Sequence, residues 1–139
     1  METLEAISQR ASLKSRVSAR AIEPEKIATI LNAARLAPSA RNRQPWRFIV
    51  VTGKEAVETL VGRAFGEGNQ MLREVPVIIV ACANPLDDTV IGGRQYYLFD
   101  VALAVENMLL AATDLGLVTH IIGRLNEDEL KKYWASPLK

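Results

Sequence analysis

Residues 37–51 read Ala37-Pro38-Ser39-Ala40-Arg41-Asn42-Arg43-Gln44-Pro45-Trp46-Arg47-Phe48-Ile49-Val50-Val51, and the fold turns on how they are understood. A helical pattern stops at Pro38, a polar turn of Ser39, Arg41, Asn42, Arg43 and Gln44 follows, and Pro45 opens a run that favours an extended strand. Short polar side chains and backbone amides are thus presented between two rigid elements. Such a junction suits a planar, hydrogen-bonding ligand better than it suits ordinary surface packing. The residues alone also allow a plainer reading, a capped turn with Trp46 plugged into the core.

Upstream of this stretch, Glu23-Pro24-Glu25 places proline in a first helical turn, and Ile27, Ile30, Leu31, Ala34 and Leu36 recur at helical spacing. Between Leu13 and Ile22, Arg16, Ser18 and Arg20 occupy every second position and point the same way if the chain is extended there. Thr3 to Ser8 predicts a short helix capped by Thr3, with Leu4 and Ile7 facing inward.

Downstream, Trp46 to Val51 predicts a strand, and Lys54 to Ala64 a helix with Val57, Leu60 and Val61 on one side. Phe65 to Gln70 is a glycine-containing loop. Val75 to Ala83, almost uninterruptedly apolar, predicts a central strand covered on both faces, and Leu86 to Gly93 a short polar connection. The longest helix is predicted over Gln95 to Leu115. Asp100, Asn107 and Asp114 form one narrow polar stripe at heptad spacing, and the rest of its girth is apolar. One small domain can hardly enclose such a helix, so part of it is expected to face a second subunit. Gly116 stops it, Val118 to Ile122 predicts a further strand, and Asn126 is placed to cap a last helix through Trp134.

The elements alternate as an α+β or α/β domain with few strands and no repeat, and 139 residues make a single domain the natural expectation. Seventeen basic against sixteen acidic residues give a net charge of +1, so no overall field recruits nucleic acid or an anionic membrane. No run reaches membrane-spanning length without a charge. The single cysteine, Cys82, sits in an apolar run, as expected of a small hydrophobe in a reducing cytoplasm. One cysteine and one histidine leave no metal site to argue, and His120 reads as a packing residue rather than a catalyst. Gly66-Glu67-Gly68 lacks the lysine and hydroxyl of a nucleotide P-loop.

The motif from Pro38 to Trp46 resembles the signature of the FMN-dependent nitroreductase family, and Arg16-Val17-Ser18-Ala19-Arg20 is similar to the family's basic strip near the first helix. The resemblance spans nearly the whole chain, in the family's order. It implies a nitroreductase-like α+β sandwich, with a small mixed sheet flanked by helices and a long buried central helix, assembled as a homodimer with shared FMN sites. It implies FMN contacts from Arg16, Val17, Ser18 and Arg20 at the phosphate, ribityl and ring edge, and from Pro38, Ser39 and Asn42 of the neighbouring subunit. Gln70 is implied at the pyrimidine edge, Ile122 and Gly123 beside N5 through a main-chain N–H, and Arg41 toward nicotinamide or substrate.

The implied activity passes hydride from NADH or NADPH through flavin N5 to a nitroaromatic, quinone or flavin acceptor, with no side chain as nucleophile. A flavin-binding or dimerising module without turnover is the alternative. Family members usually continue past the position of Pro137 with a strand and tail, whereas this sequence stops at Lys139, so a shortened or truncated member is expected.

Overall fold

Proline and glycine punctuate the chain much as their backbone preferences require. The computed structural model describes residues 1–13 and 20–135. Helix α1 covers Thr3–Gln9, and Pro24 opens α2 over Pro24–Arg35, which a 3-10 turn at Ala40–Asn42 follows. Strand β1 (Trp46–Thr52) leads into α3 (Lys54–Ala64), a 3-10 segment (Glu67–Glu74) and strand β2 (Val77–Ala83). A short hairpin, β3 (Val90–Ile91) and β4 (Arg94–Gln95), precedes the long helix α4 (Tyr97–Asp114), and α5 (Glu127–Ala135) comes last. β1 pairs with β2, and β3 with β4. The Asn84 N–H donates to Pro45 O at 3.3 Å, which sets the end of β2 beside the start of β1.

These residues form two compact units. The first comprises Met1–Leu13, Ile22–Ile49 and Ile79–Thr119. Its core joins α2 to α4 through Ile30, Ala34, Ala37, Ala104, Met108 and Ala112, with Trp46 packed among them. Ala34 and Ala104 are wholly buried, and side chains this small let two helices approach closely. The heptad row of α4 fastens it at three places. Asp100 accepts the Ala40 N–H at 3.0 Å, Asn107 Nδ2 donates to Ala33 O at 3.1 Å, and Asp114 pairs with the Met1 amine at 2.7 Å.

The second unit comprises Val50–Ile78 with 120–135 and 20–21 of the described residues. Val57, Leu60 and Val61 of α3 are wholly buried, with Leu72 and Leu130 also in its core. Gly62 belongs to a close approach: a Cβ there would lie 3.1 Å from Arg73 Nη2. Phe65 bridges Leu125, the Asn126 N–H donates to Ala64 O at 2.8 Å, and Asn126 Oδ1 accepts the Glu129 N–H at 3.1 Å, so Asn126 caps α5 as expected.

Several expectations need correction. Thr3 is the first residue of α1 rather than its cap, a position that falls to Glu2. Leu4 is 81% exposed and Ile7 52%, because this seven-residue helix is turned so that Ala6 is its buried residue. Val75 and Pro76 precede β2, whose residues are half-buried, with Ala81 exposed, rather than covered on both faces, since among the described residues the sheet has only two strands. Val118 to Ile122 is not a strand. Among the described residues it makes one bridge, Ser12 with Thr119, where the Leu13 N–H donates to Thr119 O at 2.8 Å. His120 is exposed rather than packed. The apolar side of α4 is open as expected, with Phe99 63% exposed and Leu98 and Leu103 also outside the core. No helix among the described residues is long and apolar enough to cross a membrane.

Candidate functional site

The turn after α2 is built on left-handed backbone without a glycine. Arg41 (φ 52°), Asn42 (φ 55°) and Gln44 (φ 50°) all have positive φ. Asparagine tolerates this region, whereas arginine and glutamine give up roughly 1 kcal/mol or more each to enter it. Local hydrogen bonds hold the shape. The Asn42 N–H donates to Ser39 O at 2.9 Å, the Gln44 N–H to Ser39 Oγ at 2.9 Å, and Gln44 Nε2 to Asn42 Oδ1 at 3.0 Å. Ser39 Oγ and Asn42 Oδ1 therefore serve as internal acceptors, and the Ser39 hydroxyl proton and the Asn42 NH2 group remain as donors for a ligand.

Pro38, Ser39, Arg41 and Asn42 are brought together on this one turn, with Arg41 and Asn42 exposed. Trp46 supports it from the core, and Gln44 holds the Asn42 amide. Arg47, one residue into β1, pairs with Asp87 at 3.1 Å, tying β1 to the turn after β2.

In the second unit an open cleft of about 980 Å³ lies between 63–69 and 124–128, lined by Arg63, Phe65, Asn69, Arg124 and Asn126 among others. The lining includes Asn69 and Arg124, sequence neighbours of Gln70 and Gly123, and does not include Gln70, Ile122 or Gly123 themselves. The Gln70 carboxamide is engaged locally, accepting Arg73 Nε at 2.6 Å, so Asn69 is the amide of that pair that lines the cleft. Ile122 is half-buried and Gly123 exposed. Near the cleft, the hydrogen bond from Lys132 holds the Glu129 carboxyl below its ordinary range, helped by the Lys132 and Arg63 charges. Arg20 is exposed and also belongs to this unit, while Arg16, Val17 and Ser18 lie outside the described residues.

The pattern of the Nitroreductase family matches residues 7–68 and 65–137. The chain belongs to the nitroreductase family. It is 40% identical over 133 residues to a putative NADH dehydrogenase/NAD(P)H nitroreductase of Archaeoglobus fulgidus, covering 94% of this chain and 72% of that protein. The crystal structure of a nitroreductase family protein from Clostridium novyi NT superposes with a TM-score of 0.89 at 33% identity, over 99% of this chain and 78% of the other. A putative nitroreductase of Desulfovibrio desulfuricans, solved in complex with FMN, gives a TM-score of 0.69 at 30% identity, over 81% of this chain and 63% of the other. The nitroreductase-like α+β fold expected from the sequence is therefore the fold of this chain.

Within this nitroreductase-family chain, two residues important to the turn carried no sequence signal of their role. Asp100 read only as one member of a polar stripe, and Thr89 as part of a loop. Both are nearly fully buried, and both hydrogen-bond the backbone of Ala40.

Proposed function

We propose that this chain is an FMN-dependent oxidoreductase that draws on NADH or NADPH and works as a homodimer with shared flavin sites. When bound, FMN would supply the redox chemistry, hydride transfer from the nicotinamide to a nitroaromatic, quinone or flavin acceptor. The observation that carries the reading is the Ser39–Gln44 turn. Its glycine-free left-handed backbone leaves the Ser39 hydroxyl proton and the Asn42 NH2 group as donors, which fits the carbonyl-bearing edge of an isoalloxazine.

Each residue has one task in this reading. Arg16 and Arg20 meet the phosphate charge, with Val17 and Ser18 along the ribityl and ring edge. Pro38, Ser39 and Asn42 reach the flavin held by the other subunit. Gln70, with Asn69 beside it, takes the pyrimidine edge, and the backbone at Ile122 and Gly123 donates beside N5. Arg41, exposed on the turn, meets nicotinamide or acceptor. The open apolar side of α4, with Leu98, Phe99 and Leu103, supports an assembly in which a second copy covers it.

The test is reconstitution of the purified chain with FMN, followed by anaerobic titration with NADH and NADPH. The expected result is a yellow dimer whose flavin absorbance bleaches and then returns on addition of a quinone or nitroaromatic. A protein that takes up no FMN at micromolar concentration refutes the proposal. A yellow protein that neither nicotinamide bleaches identifies a binding module without turnover.

A further inference from the structure

We propose that Asp100 is a positioning residue, which together with Thr89 grips both the backbone N–H and the backbone C=O of Ala40 and so presets the Ser39–Gln44 turn for the flavin. The proposal rests on the reading of Ser39 and Asn42 as flavin contacts.

Ala40 is held from two sides by buried groups. Asp100 Oδ1 accepts its N–H at 3.0 Å, and Thr89 Oγ1 donates to its C=O at 3.3 Å. Asp100 is 3% exposed and Thr89 4%. Thr89 is itself fixed, because Asp88 Oδ1 accepts the N–H of both Thr89 (2.7 Å) and Tyr96 (3.1 Å), and the Tyr96 N–H also reaches Thr89 O. Immediately after the gripped residue come Arg41 and Asn42, both in the left-handed region. Strained backbone of this kind persists only where its surroundings over-determine it. A two-point grip on the preceding residue meets that requirement.

Asp100 is a costly choice for the interior of a helix pair. Its second oxygen, Oδ2, is buried with no hydrogen-bond partner among the described residues, and an apolar residue at this place on α4 would avoid that penalty. What Asp100 gives in return is an acceptor for one backbone N–H at the start of the turn. The next member of the same row, Asn107, is half-buried and donates to Ala33 O on α2 instead of bonding the turn. It therefore serves as a control on the same helix.

The experiment compares Asp100→Ala, Asp100→Asn, Thr89→Val and Asn107→Ala with the wild-type chain. FMN Kd is read by fluorescence, and hydrogen exchange over 39–44 is read in the FMN-free protein. Asp100→Ala is expected to weaken FMN about tenfold and to speed exchange across the turn. Asp100→Asn keeps a carbonyl oxygen for the Ala40 N–H and is expected to stay within about threefold of wild type. Thr89→Val moves both readouts in the same direction as Asp100→Ala, by less. Asn107→Ala lowers the melting temperature and leaves FMN affinity unchanged.

A folded Asp100→Ala that binds FMN like wild type overturns the proposal, as does an Asn107→Ala that weakens FMN equally. If Asp100→Ala does not fold, Thr89→Val decides on the same criteria. If the wild-type chain takes up no FMN, the flavin reading fails, and the grip is judged on exchange alone: unchanged exchange over 39–44 in both variants refutes it, and faster exchange supports it.

Discussion

Among the turns of the first unit that use left-handed backbone, two reach it by opposite means. At the tip of the β3–β4 hairpin the positions are filled by Gly92 (φ 59°) and Gly93 (φ 76°), where an added Cβ would meet nothing within 4 Å. Between Ser39 and Gln44 the same region is filled by Arg41, Asn42 and Gln44. Glycine enters it without steric cost but presents no side chain. The second turn accepts the strain, keeps three polar side chains at one bend, and holds its backbone with bonds to Ser39, Asp100 and Thr89. The contrast separates a turn that only reverses the chain from one that also keeps exposed polar side chains at its bend.

The comparison can be broken most severely from beneath. Trp46 lies in the core directly after the polar turn, and Trp46→Ala should cost about 3–5 kcal/mol of stability in guanidinium denaturation. A loss below about 1 kcal/mol would mean that the turn does not depend on its buried anchor. Next in size, Ser39→Ala removes the acceptor for the Gln44 N–H. About 1–2 kcal/mol of stability should go with it, and FMN affinity should fall in parallel. Stability lost with flavin affinity intact would assign Ser39 to the fold alone.

Exchanging the two solutions sharpens the contrast further. Gly93→Ala should destabilise by about 1 kcal/mol and leave FMN binding unchanged, because the hairpin tip only needs the conformation. Arg41→Gly should raise stability by about 0.5 kcal/mol while slowing turnover with nicotinamide, a split that melting curves and steady-state rates read separately.

The smallest effect gives the scale of an exposed tie unconnected with either turn. Glu129 is held below its ordinary value of 4.5, first by the Lys132 hydrogen bond and then by the Lys132 charge. A carboxylate depressed on folding adds stability that is fully present above its unfolded pKa and is lost as pH falls through the folded value. Glu129→Gln should therefore leave stability near neutral pH little altered and slightly flatten its decline below pH 4.5, as followed by circular dichroism.

Much of this architecture is legible where local chemistry decides the outcome. α3 occupies the predicted Lys54–Ala64, with Val57, Leu60 and Val61 inward, because Gly53 precedes it and its apolar period is regular. Asn126 acts as a cap because the interaction spans only three residues. The turn residues of the candidate site were legible for a similar reason, since they form one contiguous motif.

What escaped the sequence depends on distant partners. Val118 to Ile122 has strand-forming residues, but a strand needs a neighbour, and among the described residues this segment finds only the bridge at Ser12. Leu4 and Ile7 have helical spacing, yet spacing alone does not say which side of a short helix the rest of the chain covers. The left-handed backbone at Arg41 and Gln44 gave no glycine to announce it. Asp100 and Thr89 lie 60 and 49 positions from the residue they hold, so no local pattern connects them to it.

The three polar fasteners of α4 also bear on how this helix tolerates change. Because Asp100, Asn107 and Asp114 each seize a different neighbour, they lock the helix against rolling about its own axis over most of its length. Side chains on the outer flank, such as Leu98, Phe99 and Leu103, are thereby relieved of specifying orientation. That flank can be repainted, by drift or by design, to suit a different neighbour while the interior arrangement keeps its register.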